Sequence, residues 1–451
     1  MRNNMTTGTE WKRILLFSLP IMLGQLLQQL YSTIDGIIVG NFVSESALAA
    51  IGTCTTLTMI FLAASWGLSN GAGIMIAQFF GAKRHDDLRE AASTAFLLLG
   101  VMGIVFSFIG VFFARPLIAG FLNVAEGEIR ELAIAYFLIY AAGLFFQCSY
   151  NAIAYILRAI GDSKATLYFL CISSVINLIL DLLFVIGFHW GIQGAAAATV
   201  IAQFCSLVAS YLYMNRKYEV LRFRIRELRF SGEKCRLCLH LGIPTTMQQC
   251  VISFGDVFVQ RLINSFGPYT MAACTVGLRI QSYTMVPILG LNMGMSNFTG
   301  QNIGAGKLAR VKRGLRATLV MELAFTAVVV GTTYLTASNL AALFGVSGEA
   351  LHQAVENIQF QSMFFLIGSA YFAFSAVIQG SGDVGFATAC TMGNLICRVA
   401  FAYIFAYVFS VGYQSCWYSM PIGWTVALCL ALLRYRSGKW THKSVVKQTQ
   451  N

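Results

Sequence analysis

Apolar residues run along the chain in blocks of membrane-spanning length, separated by short polar turns. The blocks fall near 14–40, 46–78, 91–113, 131–155, 163–187, 192–214, 239–265, 275–300, 315–340, 357–379, 386–410 and 418–436. A helix needs about 20 mainly apolar residues to cross a bilayer, so the pattern predicts twelve transmembrane helices. The even, short connections leave no room for a soluble domain. The first block is too long for the apolar core of a leader peptide and is expected to stay as a mature helix.

Composition agrees. The 451 residues are 57% hydrophobic and 11% charged, with a mean hydropathy of +0.68, too little charge to cover a soluble surface. The net charge of +12 raises nucleic acid as a partner, but its distribution excludes that. With the N-terminus inside, 26 of the 31 Lys and Arg fall on one side, eight of them between Arg216 and Arg236. The outer turns hold only Arg115 and Arg130. Positive residues stay cytoplasmic, so both termini are expected inside a multi-pass protein of the inner (plasma) membrane, in contact with its lipids and monomeric. The cysteines lie mostly in apolar runs and read as small hydrophobes. Cys235 and Cys238 make a lone Cys-x-x-Cys, read as two loop thiols rather than a zinc site.

The two halves resemble each other. Leu19-Pro20 matches Ile243-Pro244. Gln78-Phe-Phe-Gly-Ala-Lys83 matches Gln301-Asn-Ile-Gly-Ala-Gly-Lys307. Arg158-Ala-Ile-Gly-Asp-Ser163 matches Gln379-Gly-Ser-Gly-Asp-Val384. The offsets are 224, 223 to 224, and 221. Six helices per unit give both units the same orientation, hence a parallel repeat about an axis along the membrane normal. The expected fold is an all-α polytopic membrane protein of two six-helix lobes, 1–215 and 239–451, joined by a basic cytoplasmic linker, 216–238. Two such lobes can open a central cleft to each side in turn.

Acids inside spans are the candidates for chemistry. A carboxylate there costs roughly 2.5–3.5 kcal/mol on insertion scales and reads as functional by default. Asp35 lies near the outer end of the first span. Asn177 and Asp181 are four apart in the fifth and share a face. Thr199, in the sixth, and Asp181 are both about nine residues from the turn between their helices, roughly 13 Å deep at 1.5 Å per residue. Two carboxylates, an amide and a hydroxyl can hold a proton or coordinate a hard cation such as Na⁺. The offsets place Val259 opposite Asp35, Arg398 opposite Asn177 and Ala402 opposite Asp181. The second half keeps the scaffold but not the acids, which favours a specialised site over a structural one. Pro20 interrupts the first helix and can serve as a hinge. In the second half, Asp256, Glu322 and Arg398 can pair with one another or line a substrate cavity. The Gly-rich stretches lack the Lys-Ser/Thr of a phosphate loop, so transport would need an ion gradient. No His or Cys constellation at one depth suggests an enzyme.

On these residues the chain resembles the multidrug and toxic compound extrusion (MATE) family over nearly its whole length, and is most similar to its DinF-like branch. That branch carries an Asp in helix 1, Asn-x-x-x-Asp in helix 5, a Thr in helix 6 and a helix 1 proline, which fall on Asp35, Asn177, Asp181, Thr199 and Pro20. The resemblance implies antiport without a cofactor: H⁺ or Na⁺ enters through the N-lobe acids while a drug-like, often cationic or aromatic compound leaves. It departs from the NorM-like branch, whose helix 7 acid has a different register from Asp256 and whose helix 10 acid is missing here. Other members of the superfamily flip lipid-linked precursors, the alternative that the fold leaves open.

Overall fold

The computed structural model describes residues 4–222 and 228–448, apart from the side chains of 31–32, 35–42, 45 and 447–448. The first half contains α1 (Glu10–Phe42), α2 (Glu45–Gly81), α3 (His85–Phe112), α4 (Glu128–Ala142), α5 (Leu144–Ala159), α6 (Ser163–Asp181) and α7 (Gly191–Lys217). The second contains α8 (Gly232–Ser265), α9 (Pro268–Gly304), α10 (Leu308–Leu335), α11 (Ala337–Leu343), α12 (Gly348–Gly380), α13 (Val384–Tyr407), α14 (Ser415–Tyr418) and α15 (Met420–Arg436). Among the described residues nine helices are long and apolar enough to cross a membrane, and α4 with α5, bent by 47°, forms a tenth such span. The long helices α8 and α9 complete the twelve. Their in-span Gln248, Asp256, Arg261, Arg279 and Gln281 lower the apolar content.

The helix ends obey the repeat. At the end of α2, Ala82, Lys83 and Arg84 donate backbone bonds to Gln78, Phe80 and Phe79. At the end of α9, Ala305, Gly306 and Lys307 donate to Gln301, Ile303 and Asn302. The bonds match at a constant offset of 223, so Lys83 is the partner of Gly306, and both have positive φ, 58° and 71°. Aligning the two lysines, as the motifs suggest, misplaces one residue. The glycine supplies a left-handed cap that a lysine can also adopt at some strain. The second motif repeats as well. Gly161 and Gly382 have φ of 94° and 95°, and Asp162 and Asp383 follow them as the N-caps of α6 and α13. Asp162 accepts from the Ala165 amide at 3.3 Å.

The chain forms two compact units. One is Leu23–Thr246; the other is Met1–Met22 with Met247–Asn451. The division differs from a simple cut at the basic linker. Helices α1 and α8 each begin in the opposite half's unit and change unit two residues after their proline, Pro20 or Pro244. The physical reason lies in four glycines at equivalent positions. A Cβ on Gly71 of α2 would sit 2.5 Å from the Gly242 amide nitrogen of α8, and one on Gly67 would strike Thr246. At the same places in the other unit, Gly294 of α9 faces Ser18 of α1 and Gly290 faces Met22. Small residues let helix backbones approach this closely.

Candidate functional site

Helix α6 is turned inside out relative to a soluble helix. Ser173, Asn177 and Asp181 form its buried face, while Tyr168, Ile172, Val175 and Ile179 are exposed. In a membrane this places the apolar side toward lipid and the polar side toward protein. The buried face meets α7. The Ser173 hydroxyl donates to the Ala202 carbonyl at 3.4 Å. The Asn177 amide reaches the Thr199 hydroxyl at 3.5 Å, and Thr199 donates to the Ala195 carbonyl at 3.1 Å. Asn177 and Asp181 are almost wholly buried and Thr199 is half-buried.

Asp181 is the last residue of α6. Beyond it, Leu182–Gly187 continues as a wider π-helical turn, with the Phe188 amide bonded five residues back to Leu183. Such turns recur at functional sites, where they aim a side chain that a regular helix would carry past. No sequence signal marked this one. Asp35 falls on α1, and its side chain lies outside the described residues. Pro20 lies inside α1, on the N-terminal side of the unit boundary.

In the other half the positions equivalent to Asp35 and Asp181 lie in an apolar core. Val259 and Ala402 belong to one buried cluster with Leu262, Ile263, Cys274, Cys416 and Trp417. Arg398, the counterpart of Asn177, pairs with Asp256 at 3.2 Å. Glu322 stays apart from that pair. It is fully buried in α10, and neither carboxyl oxygen has a hydrogen-bond partner among the described residues. Cys235 and Cys238 lie in α8, not in a loop, with Cys238 buried against the Leu68 carbonyl. Among the described residues no cluster of His, Cys, Asp and Glu could hold a metal ion.

Sequence reading missed two polar anchors at the ends of helices. Lys234 is buried and pairs with Asp87 at 2.8 Å. Asp162 accepts from Tyr213 at 2.9 Å and Lys217 at 3.0 Å, and also from Tyr218. Burial pushes the Asp162 carboxyl up, but the bonds from Tyr218, Lys217 and Tyr213 outweigh it and hold the group below its ordinary value. Both lysines lie within the basic linker, 216–238, where charge alone marks topology.

Two repeated helical units built from spans of bilayer length define a multi-pass membrane protein. The chain belongs to the MatE family, whose model matches it twice, over residues 20–183 and 244–404. Those two matches are themselves displaced by 224 residues at their starts and 221 at their ends. Similar proteins include the probable multidrug resistance protein YpnP of Bacillus subtilis (strain 168), 29% identical over 440 residues, with 96% of this chain and 97% of the relative covered. The multidrug export protein MepA of Staphylococcus haemolyticus (strain JCSC1435) is 23% identical, with 87% and 86% covered. Among solved structures, an outward-facing multidrug resistance MATE family transporter of the MOP superfamily matches with a TM-score of 0.90 at 25% identity, over 97% of this chain and 98% of that one. Members of the family are transporters and not enzymes.

Proposed function

We propose that the chain exports drug-like, often cationic or aromatic compounds across the plasma membrane in exchange for H⁺ or Na⁺, with both termini cytoplasmic. The coupling ion binds at Asp35, Asn177, Asp181 and Thr199, and Pro20 is the hinge that responds to it. The observation that carries the reading is the buried Asn177–Thr199 contact on the face that ends in Asp181. In the other half Arg398 stands in place of Asn177, and the counterparts of Asp35 and Asp181, Val259 and Ala402, share one apolar cluster. The repeat thereby supports placing the two acids together. Two close carboxylates share a proton readily, and with an amide and a hydroxyl they also make a cation site. The names of the relatives support drugs as the cargo.

The test is transport in proteoliposomes, with the Na⁺ and pH gradients varied separately. Wild type should move ethidium against its gradient under one of the two. Asp35→Asn and Asp181→Asn should fold but lose gradient-driven uptake by at least tenfold. Coupling at the wild-type level in both variants would overturn the assignment of the site.

A further inference from the structure

We propose that Glu322 is a second proton-binding site, in the C-terminal half. It holds a neutral carboxylic acid while α9 and α10 are packed together, and it releases the proton to water when the turn beside Pro287 opens.

Helix α10 buries one stripe: Val311, Gly314, Leu315, Thr318, Glu322 and Thr326. Its contacts fix the register against α9. Gly314 packs on Phe298, and the Thr318 hydroxyl meets the Met295 sulfur at 3.3 Å. The two helices run antiparallel, so the next turn places Glu322 level with Leu291 and the turn after places Thr326 level with Pro287. Both Glu322 carboxyl oxygens and the Thr326 hydroxyl are buried without a hydrogen-bond partner among the described residues. Pro287 has no amide to donate to the Tyr283 carbonyl, so this is the weakest turn of α9.

A carboxylate enclosed by apolar side chains with no donor is neutralised by a proton. Sodium would need several oxygen ligands, and among the described residues no second carboxylate pairs with Glu322. The surrounding elements supply no counter-charge. On α9 the titratable residues are Tyr269, Cys274, Arg279 and Tyr283; on α12, Glu349, His352, Glu356 and Tyr371; on α10 itself, Arg310, Lys312, Arg313, Arg316 and Tyr334; on the start of α1, Glu10, Lys12 and Arg13; α11 has none. None forms an ion pair with Glu322 among the described residues. Glu10 instead binds Arg310 and Arg313, Glu356 is occupied by Tyr413, Gln414 and Tyr418, and the Tyr371 hydroxyl bonds Thr391.

The repeat argues against a scaffold role. At the offset of 223, the counterparts of Glu322 and Thr326 are Leu99 and Gly103, both buried. Leu99 is the ordinary solution for this position. The acid in its place is the mirror of the N-lobe case, where Asp181 stands opposite Ala402.

The test is infrared spectroscopy of the full chain in phospholipid vesicles at neutral pH. Wild type should show the carbonyl stretch of a protonated carboxyl, and Glu322→Gln and Glu322→Leu should lose it. During ethidium turnover in D₂O the wild-type band should shift as the proton exchanges. A spectrum unchanged by both substitutions, or a band that resists exchange throughout turnover, overturns the proposal. Gln keeps the shape of the neutral acid and guards against simple misfolding. Asp181→Asn should keep the Glu322 band, so failure of the N-lobe reading and failure of this one are separable.

Discussion

Lys234 and Asp87 are paired at 2.8 Å, and at the repeat-equivalent positions Glu10 and Arg310 are paired at 3.3 Å with the charges exchanged. Each pair ties the first turn of a long proline-broken helix to the unit of the opposite half. Each cation also lies over a phenylalanine ring, Lys234 at 4.6 Å from Phe79 and Arg310 at 5.5 Å from Phe298. The reversed polarity makes each helix start attractive to its own partner and repulsive to the other. Such charge patterning discriminates between alternative pairings more than it adds stability.

The exchange of charge can be imposed. Lys234→Glu alone sets an acid beside Asp87 and should destabilise the chain by about 2 kcal/mol, less than the full loss of a buried pair because Arg84 also holds Asp87 at 2.7 Å. Adding Asp87→Arg recreates the Glu10–Arg310 arrangement and should restore at least half of the loss. A double-mutant cycle on thermal unfolding checks this; strictly additive effects would show that the two residues are not coupled.

The close α2–α8 approach predicts a contrast within one helix. Gly71→Ala puts a methyl 2.5 Å from a backbone nitrogen and should cost about 1–3 kcal/mol. Gly52→Ala, also in α2 but with nothing within 4 Å of the new methyl, should be neutral or gain up to about 1 kcal/mol from helix propensity. Melting temperatures of the two variants against wild type test the contrast.

Asp162 makes stability depend on acid. Its folded carboxyl lies below the ordinary value, so its stabilisation is present above about pH 4 and is lost as the pH falls through the folded value. Asp162→Asn should therefore melt below wild type at neutral pH, by about 2 kcal/mol. The gap should shrink on acidification below about pH 4. A gap that stays constant as the pH is lowered would count against the ionised, three-donor arrangement.

The asymmetry of the halves predicts opposite tolerances. Ala402→Asp would bury an acid beside Val259 and Trp417, one turn from an Arg398 already bonded to Asp256, at a cost of several kcal/mol, and little folded protein should survive. Asp181→Ala removes the acid of the proposed site and should lower the melting temperature only slightly, if at all. Monodispersity and thermal melts in detergent distinguish the two.

Much of the architecture was legible in the chain itself. Apolar block length sets the number of spans, because a bilayer admits only helices of that length with their backbone bonds satisfied internally. The repeated Gly-Asp and Leu-Pro or Ile-Pro motifs set the two-unit organisation, because caps and kinks depend on one or two residues at fixed positions. The candidates Asn177, Asp181 and Thr199 stood out because a buried polar residue in an apolar block is costly. Local pattern does not encode which distant segments meet. The exchange of helix starts between units rests on four glycines whose meaning appears only when their partners are known. In the sequence Lys234 is one more topological charge, and only the fold shows it buried against Asp87 and Phe79. The π-helical turn after Asp181 has no composition of its own. The isolation of Glu322 is a property of everything around it, and only the packed tertiary structure shows that no donor among the described residues reaches it.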